Sequence, residues 1–197
     1  LLTWPFIRPF ATAIPGVSEG MLRAVPAFFG TACIMTLWLV RRWMSPGGLF
    51  AAGLLIALSP GLVYYGRSYI QETLFCFFSF GLMACGARYA AGRTWPWAVL
   101  SGFFAGLTAA TKETWVLSAF AMAAAIALLA LFSPRGSRGR IRPPAGHLLL
   151  FAGVALTSTA LFYSTFLTQP AALLELGRSV APYFHRASGG EHAHPWF

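Results

Sequence analysis

Aspartate is absent from this sequence of 197 residues, and lysine occurs once, at position 112. The other charged residues are 13 arginines and five glutamates, so charged residues make up only 10% of the chain. Soluble domains contain about 25% charged residues, whereas this chain is 57% hydrophobic and 16% aromatic. The scarcity of charge therefore excludes a water-soluble domain of this size and indicates a chain embedded in lipid.

Cysteine is also scarce. The three cysteines, Cys33, Cys76 and Cys85, lie inside apolar runs, at spacings that match neither a disulfide framework nor a zinc knuckle. We interpret them as small, buried hydrophobic residues.

The net charge of +9 would suit a nucleic-acid-binding protein. Such a protein gathers its cations on one wet face with polar neighbours, and here they stand singly or in short groups between apolar runs. Nucleic acid is therefore not an expected partner, and we interpret the arginines as signals of membrane topology. Those of the loop at 133–146 are also expected to contact anionic lipid headgroups.

The sequence contains long apolar stretches instead of charged segments. A helix needs about 20 apolar residues to cross ~30 Å of hydrocarbon, and shorter runs can serve when flanking side chains snorkel. Six stretches qualify, at about residues 24–43, 47–66, 69–91, 95–111, 114–132 and 147–168. They predict an all-α fold, a polytopic transmembrane bundle that forms one domain over 1–197, with a cytoplasmic loop at 133–146 and an outer-face segment at 169–197.

Six crossings sort the connecting segments onto two faces. One face, made of 41–46, 88–94 and 133–146, has eight arginines and no acid, whereas the other has six cations and all five glutamates. By the positive-inside rule the first face is cytoplasmic. The sequence thus predicts a multi-pass protein of the plasma membrane whose chemistry opens on the extracytoplasmic face, where every carboxylate and the only lysine lie.

One outer-face segment combines Tyr65 and Arg67 with Glu72. A cation beside a carboxylate in a partly desolvated site can bind a phosphate and transfer a proton in the same place. The structural alternative is a tyrosine belt at the interface, with an ion pair that holds the loop.

A second outer-face segment is the turn that contains Lys112 and Glu113. An unpaired ammonium group at membrane depth is costly, so Lys112 should have a partner such as a phosphate or a glutamate. The alternative is a turn whose polarity only satisfies the bilayer surface.

A histidine-rich segment closes the sequence. The spacing of His192 and His194 is compatible with a pair of zinc ligands, but the adjacent Gly189 and Gly190 and the lack of a fixed upstream ligand weigh against a metal. We expect His194 and Trp196 to bind a polar sugar or a phosphate instead. The residues predict no particular cofactor, and they do not exclude a divalent cation.

Taken in order, these motifs resemble those of a known family. The resemblance is carried by Gly16, Val17, Ser18, Glu19, Arg23, Pro26 and Gly30, by Ser59, Pro60, Val63, Tyr64, Tyr65, Arg67 and Glu72, by Ala110, Thr111, Lys112 and Glu113, and by His194, Pro195 and Trp196. The pattern is similar to the dolichyl-phosphate-mannose protein mannosyltransferase-like membrane glycosyltransferases of the GT-C fold. Within them it most resembles the prokaryotic branch of flippase activity-associated glycosylation proteins.

The resemblance implies a GT-C type hexosyltransferase that moves a sugar from a polyprenyl-phosphate donor to a protein, lipid or glycan acceptor. It implies Glu72 as a catalytic acid and the following substrate-binding residues: Arg67, Lys112, Glu113, Tyr65, His194 and Trp196. The family's principal acid lies in its first external loop, which we expect upstream of Leu1, in a part missing from a truncated chain. Glu72 itself stands where the family often has aspartate.

A transporter or flippase-associated subunit is the competing class. Such a protein would handle a lipid-linked sugar without making a glycosidic bond, and the outer-face charges would then be a headgroup docking site. Transporters usually have broken helices and ionisable residues near the bilayer midplane, and the middles of these apolar stretches are almost free of charge.

Overall fold

The computed structural model describes residues 19–68, 70–112, 114–132 and 143–168, and every regular element in these ranges is helical. The elements are α1 (Glu19–Val40) followed by a 3-10 turn (Arg41–Trp43), α2 (Pro46–Leu58), α3 (Pro60–Arg67), α4 (Glu72–Gly92), α5 (Trp95–Thr111), α6 (Trp115–Phe132) and α7 (Ala145–Tyr163). The predicted all-α class of an apolar helix bundle is confirmed.

Three of the described helices are long and apolar enough to cross a membrane: Leu22–Trp43, Glu72–Gly92 and Ala145–Tyr163. The pair α2 and α3 passes the same test as one span that is bent by 47°. Trp115–Leu129 is a shorter apolar helix. The six-crossing topology stays a prediction, and the segments 133–142 and 169–197 lie outside the described residues.

The bend between α2 and α3 has a local cause in Pro60. Proline has no N–H to donate, and its ring disfavours helical backbone at the residue before it. Ser59 accordingly has a ψ of 116° and separates the two helices. The stretch at 47–66 is therefore two helices rather than one continuous helix.

The helices pack as a row. The bent pair lies against α1, α1 against α4, α4 against α5, and α5 against α7, whereas α6 contacts mainly α5. A buried cluster of Phe29, Leu74, Phe78, Leu107 and Ala110 joins α1, α4 and α5. The centre of the described bundle is thus the α4–α5 pair.

Glycines allow two close approaches to α5. A Cβ added at Gly102 would lie 2.5 Å from the carbonyl oxygen of Phe151, and one at Gly106 would lie 2.5 Å from that of Ala155, both in α7. On the other side, a Cβ added at Gly81 would lie 2.6 Å from the ring of Phe104. Small residues that bring helix backbones together are typical of membrane bundles.

Gly81→Ala is expected to destabilise the protein relative to Gly86→Ala, by about 1–3 kcal/mol. Both glycines lie in α4, but a Cβ at Gly86 meets no atom within 4 Å, and alanine favours a helix over glycine. Unfolding of the purified protein, followed by circular dichroism, measures the difference. Adding Phe104→Leu to Gly81→Ala should recover stability, and equal stabilities of the two single variants would contradict the packing.

Candidate functional site

The beginning of α4 and the end of α5 meet at one end of the bundle, because the two helices are neighbours that run in opposite directions. Glu72 is the first residue of α4, and Lys112 directly follows α5. The Nζ of Lys112 donates to the Oε1 of Glu72 across this junction. We call this part of the molecule the ion-pair end, defined by Glu72 and Lys112.

Each charge of the pair sits at the helix terminus that favours it. A helix N-terminus stabilises a carboxylate and a helix C-terminus stabilises a cation. Glu72 lies in the first turn of α4, and Lys112 is the C-terminal cap of α5, with extended backbone at φ −151° and ψ 140°. The two helix ends therefore position opposite charges face to face.

The ion pair is accessible, and buried apolar residues of the same two helices lie next to it. The side chains of Lys112 and Glu72 are 34% and 35% exposed, so a ligand could reach both. Two residues further into the same two helices, Leu74 and Ala110 belong to the buried cluster. Apolar surroundings on one side strengthen the attraction between the charges.

Thr73 is a feature of this end that the sequence pattern did not single out. Its side chain is fully buried, and its Oγ1 has no hydrogen-bond partner among the described residues. The nearby hydroxyl of Thr111, by contrast, donates to the carbonyl of Leu107 at 2.6 Å. Only the adjacency of Thr73 to Glu72 in the sequence could have drawn attention to it.

Tyr65 and Arg67 lie on α3, on the sequence segment that leads to Glu72. The ring of Tyr65 packs edge-on against that of Tyr64, with centroids 5.3 Å apart, and Arg67 is exposed. In the part of the chain that the structure describes, neither residue makes a hydrogen bond or ion pair with Glu72 or Lys112. The structure thus joins Glu72 to the lysine of a distant segment rather than to the nearby arginine.

The other predicted site residues, Glu113, His194 and Trp196, fall outside the described residues. Within the described ranges, no group of three or more histidine, cysteine or acidic side chains could hold a metal ion.

The opposite end of the bundle has a different character. There the Nε of Arg88 donates to the carbonyl of Leu39 at 2.5 Å, and the hydroxyl of Tyr89 lies 3.1 Å from the Nδ1 of His147. These contacts join the end of α1, the end of α4 and the start of α7. We call this the arginine end, defined by Arg41, Arg42 and Arg88.

Comparison with known proteins gives one family. The family model described as dolichyl-phosphate-mannose-protein mannosyltransferase matches residues 2–163. Neither a curated protein nor a solved structure matches the chain. The match includes both residues of the ion pair and most of the described bundle.

Proposed function

Because this chain belongs to the dolichyl-phosphate-mannose-protein mannosyltransferase family, we propose that it transfers a sugar from a polyprenyl-phosphate donor to a protein, lipid or glycan acceptor on the extracytoplasmic side of the plasma membrane. The membership and the apolar helices make it a membrane glycosyltransferase. The finer assignment is supported by one observation above all, the accessible pair of Glu72 and Lys112 at one end of the bundle.

The reaction requires the two kinds of group that this pair supplies. An acceptor hydroxyl oxygen attacks the anomeric carbon, the bond from that carbon to the phosphate oxygen breaks, and the electron pair leaves with the lipid phosphate. The hydroxyl proton needs a base, and the phosphate needs a cation to stabilise its growing charge. In our proposal Glu72 serves as a base beside the principal acid that the resemblance places in the first external loop, and Lys112 binds the phosphate.

The direct contact between the two groups suggests how the donor would prepare the site. In the structure, the Nζ of Lys112 donates to the carboxylate of Glu72. The donor phosphate is a phosphodiester with one negative charge, and it gains a second as its bond to the sugar breaks, so it competes for the ammonium group most strongly in the transition state. Once Lys112 turns to the phosphate, the carboxylate of Glu72 is free to accept a proton.

The remaining predicted residues complete the proposed pocket. Arg67 is exposed on the segment before Glu72 and suits a second contact to phosphate. Tyr65, Glu113, His194 and Trp196 are proposed to line the sugar and acceptor positions.

The distribution of charge supports the extracytoplasmic orientation. Among the described residues the arginine end has no acid, whereas Glu72 and Lys112 lie at the opposite end. Arginine-rich, acid-free loops remain on the cytoplasmic side, so the ion-pair end would face outward.

Lys112→Ala is expected to lower kcat/KM for the donor by about 10- to 100-fold, because a charge-assisted hydrogen bond contributes about 1.5–3 kcal/mol. The assay follows labelled sugar from a polyprenyl-phosphate donor into acceptor in membranes that contain the full-length protein. Thr114→Ala, two residues away, is the matched control and should transfer at the wild-type rate.

Two results would contradict the proposal. Labelled lipid that crosses the membrane without formation of a glycosidic bond would favour the transporter class. Wild-type transfer by Lys112→Ala would leave the enzyme class standing but remove Lys112 from the site. Sealed vesicles of opposite orientation, given donor from outside, test the face separately.

A further inference from the structure

The arginine end presents cations that are paired with aromatic rings rather than with acids. The guanidinium of Arg41 lies 3.6 Å from the ring centroid of Trp38, and that of Arg42 lies 4.3 Å from that of Trp43. Within the described ranges, the only carboxylate with a described ion pair is Glu72, at the far end. The charges of Arg41 and Arg42 are therefore not neutralised by the described part of the chain.

Arg88 brings a third cation to the same place from another helix. Its guanidinium lies 5.5 Å from the ring centroid of Trp97 and 5.8 Å from that of Trp43, so Trp43 has both Arg42 and Arg88 near its ring. The Nε of Arg88 is used to cap the carbonyl of Leu39 in the last turn of α1. Two like charges near one ring repel each other, and an anion between them would relieve that repulsion.

The geometry leaves the right donors available for such an anion. Stacking on an indole occupies the face of a guanidinium but not its edge, where the N–H groups lie. Those N–H groups match the oxygens of a phosphate in a bidentate arrangement. The arginine end thus has the charge and the donors of a phosphate-binding surface.

The surroundings indicate where this phosphate comes from. Trp38 and Trp43 are 61% and 48% exposed, and Met35, one turn before Trp38 on α1, is 72% exposed. Exposed tryptophans beside an apolar helix surface mark the depth of lipid headgroups in a membrane. A soluble phosphate would leave these apolar side chains in water, whereas a phospholipid covers them with its acyl chains.

We infer that the arginine end is a binding surface for an anionic glycerophospholipid, whose phosphate lies between the guanidinium groups of Arg42 and Arg88. Such a lipid would hold the end of α1 and the end of α4 together, through the side chains that already connect them. A ligand that binds only the folded state raises its stability. Lipid binding at the arginine end is independent of the sugar-transfer reaction, because that end lies opposite Glu72 and Lys112.

The test uses the full-length protein in nanodiscs of phosphatidylcholine, alone or with phosphatidylglycerol, and in a third arm with phosphatidylcholine and inorganic phosphate. Phosphatidylglycerol is expected to raise the Tm of the wild-type protein, and inorganic phosphate is not. Native mass spectrometry of the protein titrated with phosphatidylglycerol gives the affinity. In Arg41→Gln/Arg42→Gln we expect the affinity to fall about 30-fold, since each basic residue near an anionic lipid surface contributes about 1 kcal/mol.

Arg23→Gln is the matched control, because it removes one exposed arginine from the other end of α1. It should keep the wild-type affinity for phosphatidylglycerol. Arg41 and Arg42 are exposed, so their loss should leave the fold intact, which the Tm in phosphatidylcholine alone verifies. Equal affinity in the double variant, an equal loss in Arg23→Gln, or the same Tm rise with inorganic phosphate would each overturn the inference.

Discussion

Glu72→Gln is expected to reduce sugar transfer by about 10²- to 10⁴-fold, the contribution of a positioned general base. Glutamine has the size of glutamate, and its carbonyl oxygen can still accept from Lys112, so the contact between α4 and α5 should persist. What is lost is the ability to take a proton from the acceptor hydroxyl. Initial rates of labelled-sugar transfer at saturating donor, normalised to the amount of folded protein, measure the effect.

A matched control and a charge exchange separate catalysis from structure. Gln71→Ala alters the exposed neighbour of Glu72 and should leave the rate unchanged. Exchanging the charges, with Glu72→Lys and Lys112→Glu in one protein, can restore the ion pair. It also places a cation at the N-terminus of α4 and an anion at the C-terminus of α5, where the helix dipoles oppose them.

If the pair only holds the helices together, the exchanged variant should regain most of the stability, and the activity, that each exchange alone removes. If Glu72 is the base, the exchanged variant should regain most of the stability but not the transfer of sugar. Wild-type transfer by Glu72→Gln itself would remove Glu72 from the chemistry.

Much of this site could be predicted from the sequence because membrane insertion restricts where charge can lie. Once the apolar stretches are treated as crossings, Glu72 and Lys112 fall on the same face, 40 residues apart in the chain. The cost of an unpaired ammonium at membrane depth required a partner for Lys112. From the sequence, that partner was predicted to be either a phosphate or a glutamate, and in the structure it is Glu72.

What the sequence could not supply is the order of helices in space. Arg67 is much nearer than Lys112 to Glu72 along the chain, yet the ion pair uses Lys112, because α4 packs against α5. For the same reason the sequence predicted that the arginines of this end share one face but not which residues they contact. Arg88 caps α1 at a carbonyl 49 positions away in the sequence, and no local pattern encodes that contact.

Gly106→Leu is expected to cost about 3 kcal/mol or more, at the upper end of the range for overpacking. The reason is the kind of atom that the new side chain meets. A Cβ at Gly106 would lie 2.5 Å from the carbonyl oxygen of Ala155 and 3.1 Å from the backbone nitrogen of Thr159. Backbone cannot change rotamer, so α5 and α7 must move apart. Unfolding monitored by circular dichroism, together with the yield of folded protein, measures the loss.

Gly153→Leu is the matched control, because Gly153 lies on α7 and an added Cβ there meets no atom within 4 Å. It should unfold like the wild type, and an equal loss in both variants would contradict the close approach of α5 to α7.

Displacement of α5 also has a consequence for the site. The Oγ1 of Thr159 donates to the carbonyl of Ala155 at 2.8 Å and lies 3.3 Å from that of Gly106. The contact between α5 and α7 therefore includes a polar contact as well as close packing. Because Lys112 directly follows α5, a shift of α5 relative to α4 would separate Lys112 from Glu72. Gly106→Leu should therefore lose stability and sugar transfer together, whereas Glu72→Gln should lose transfer alone.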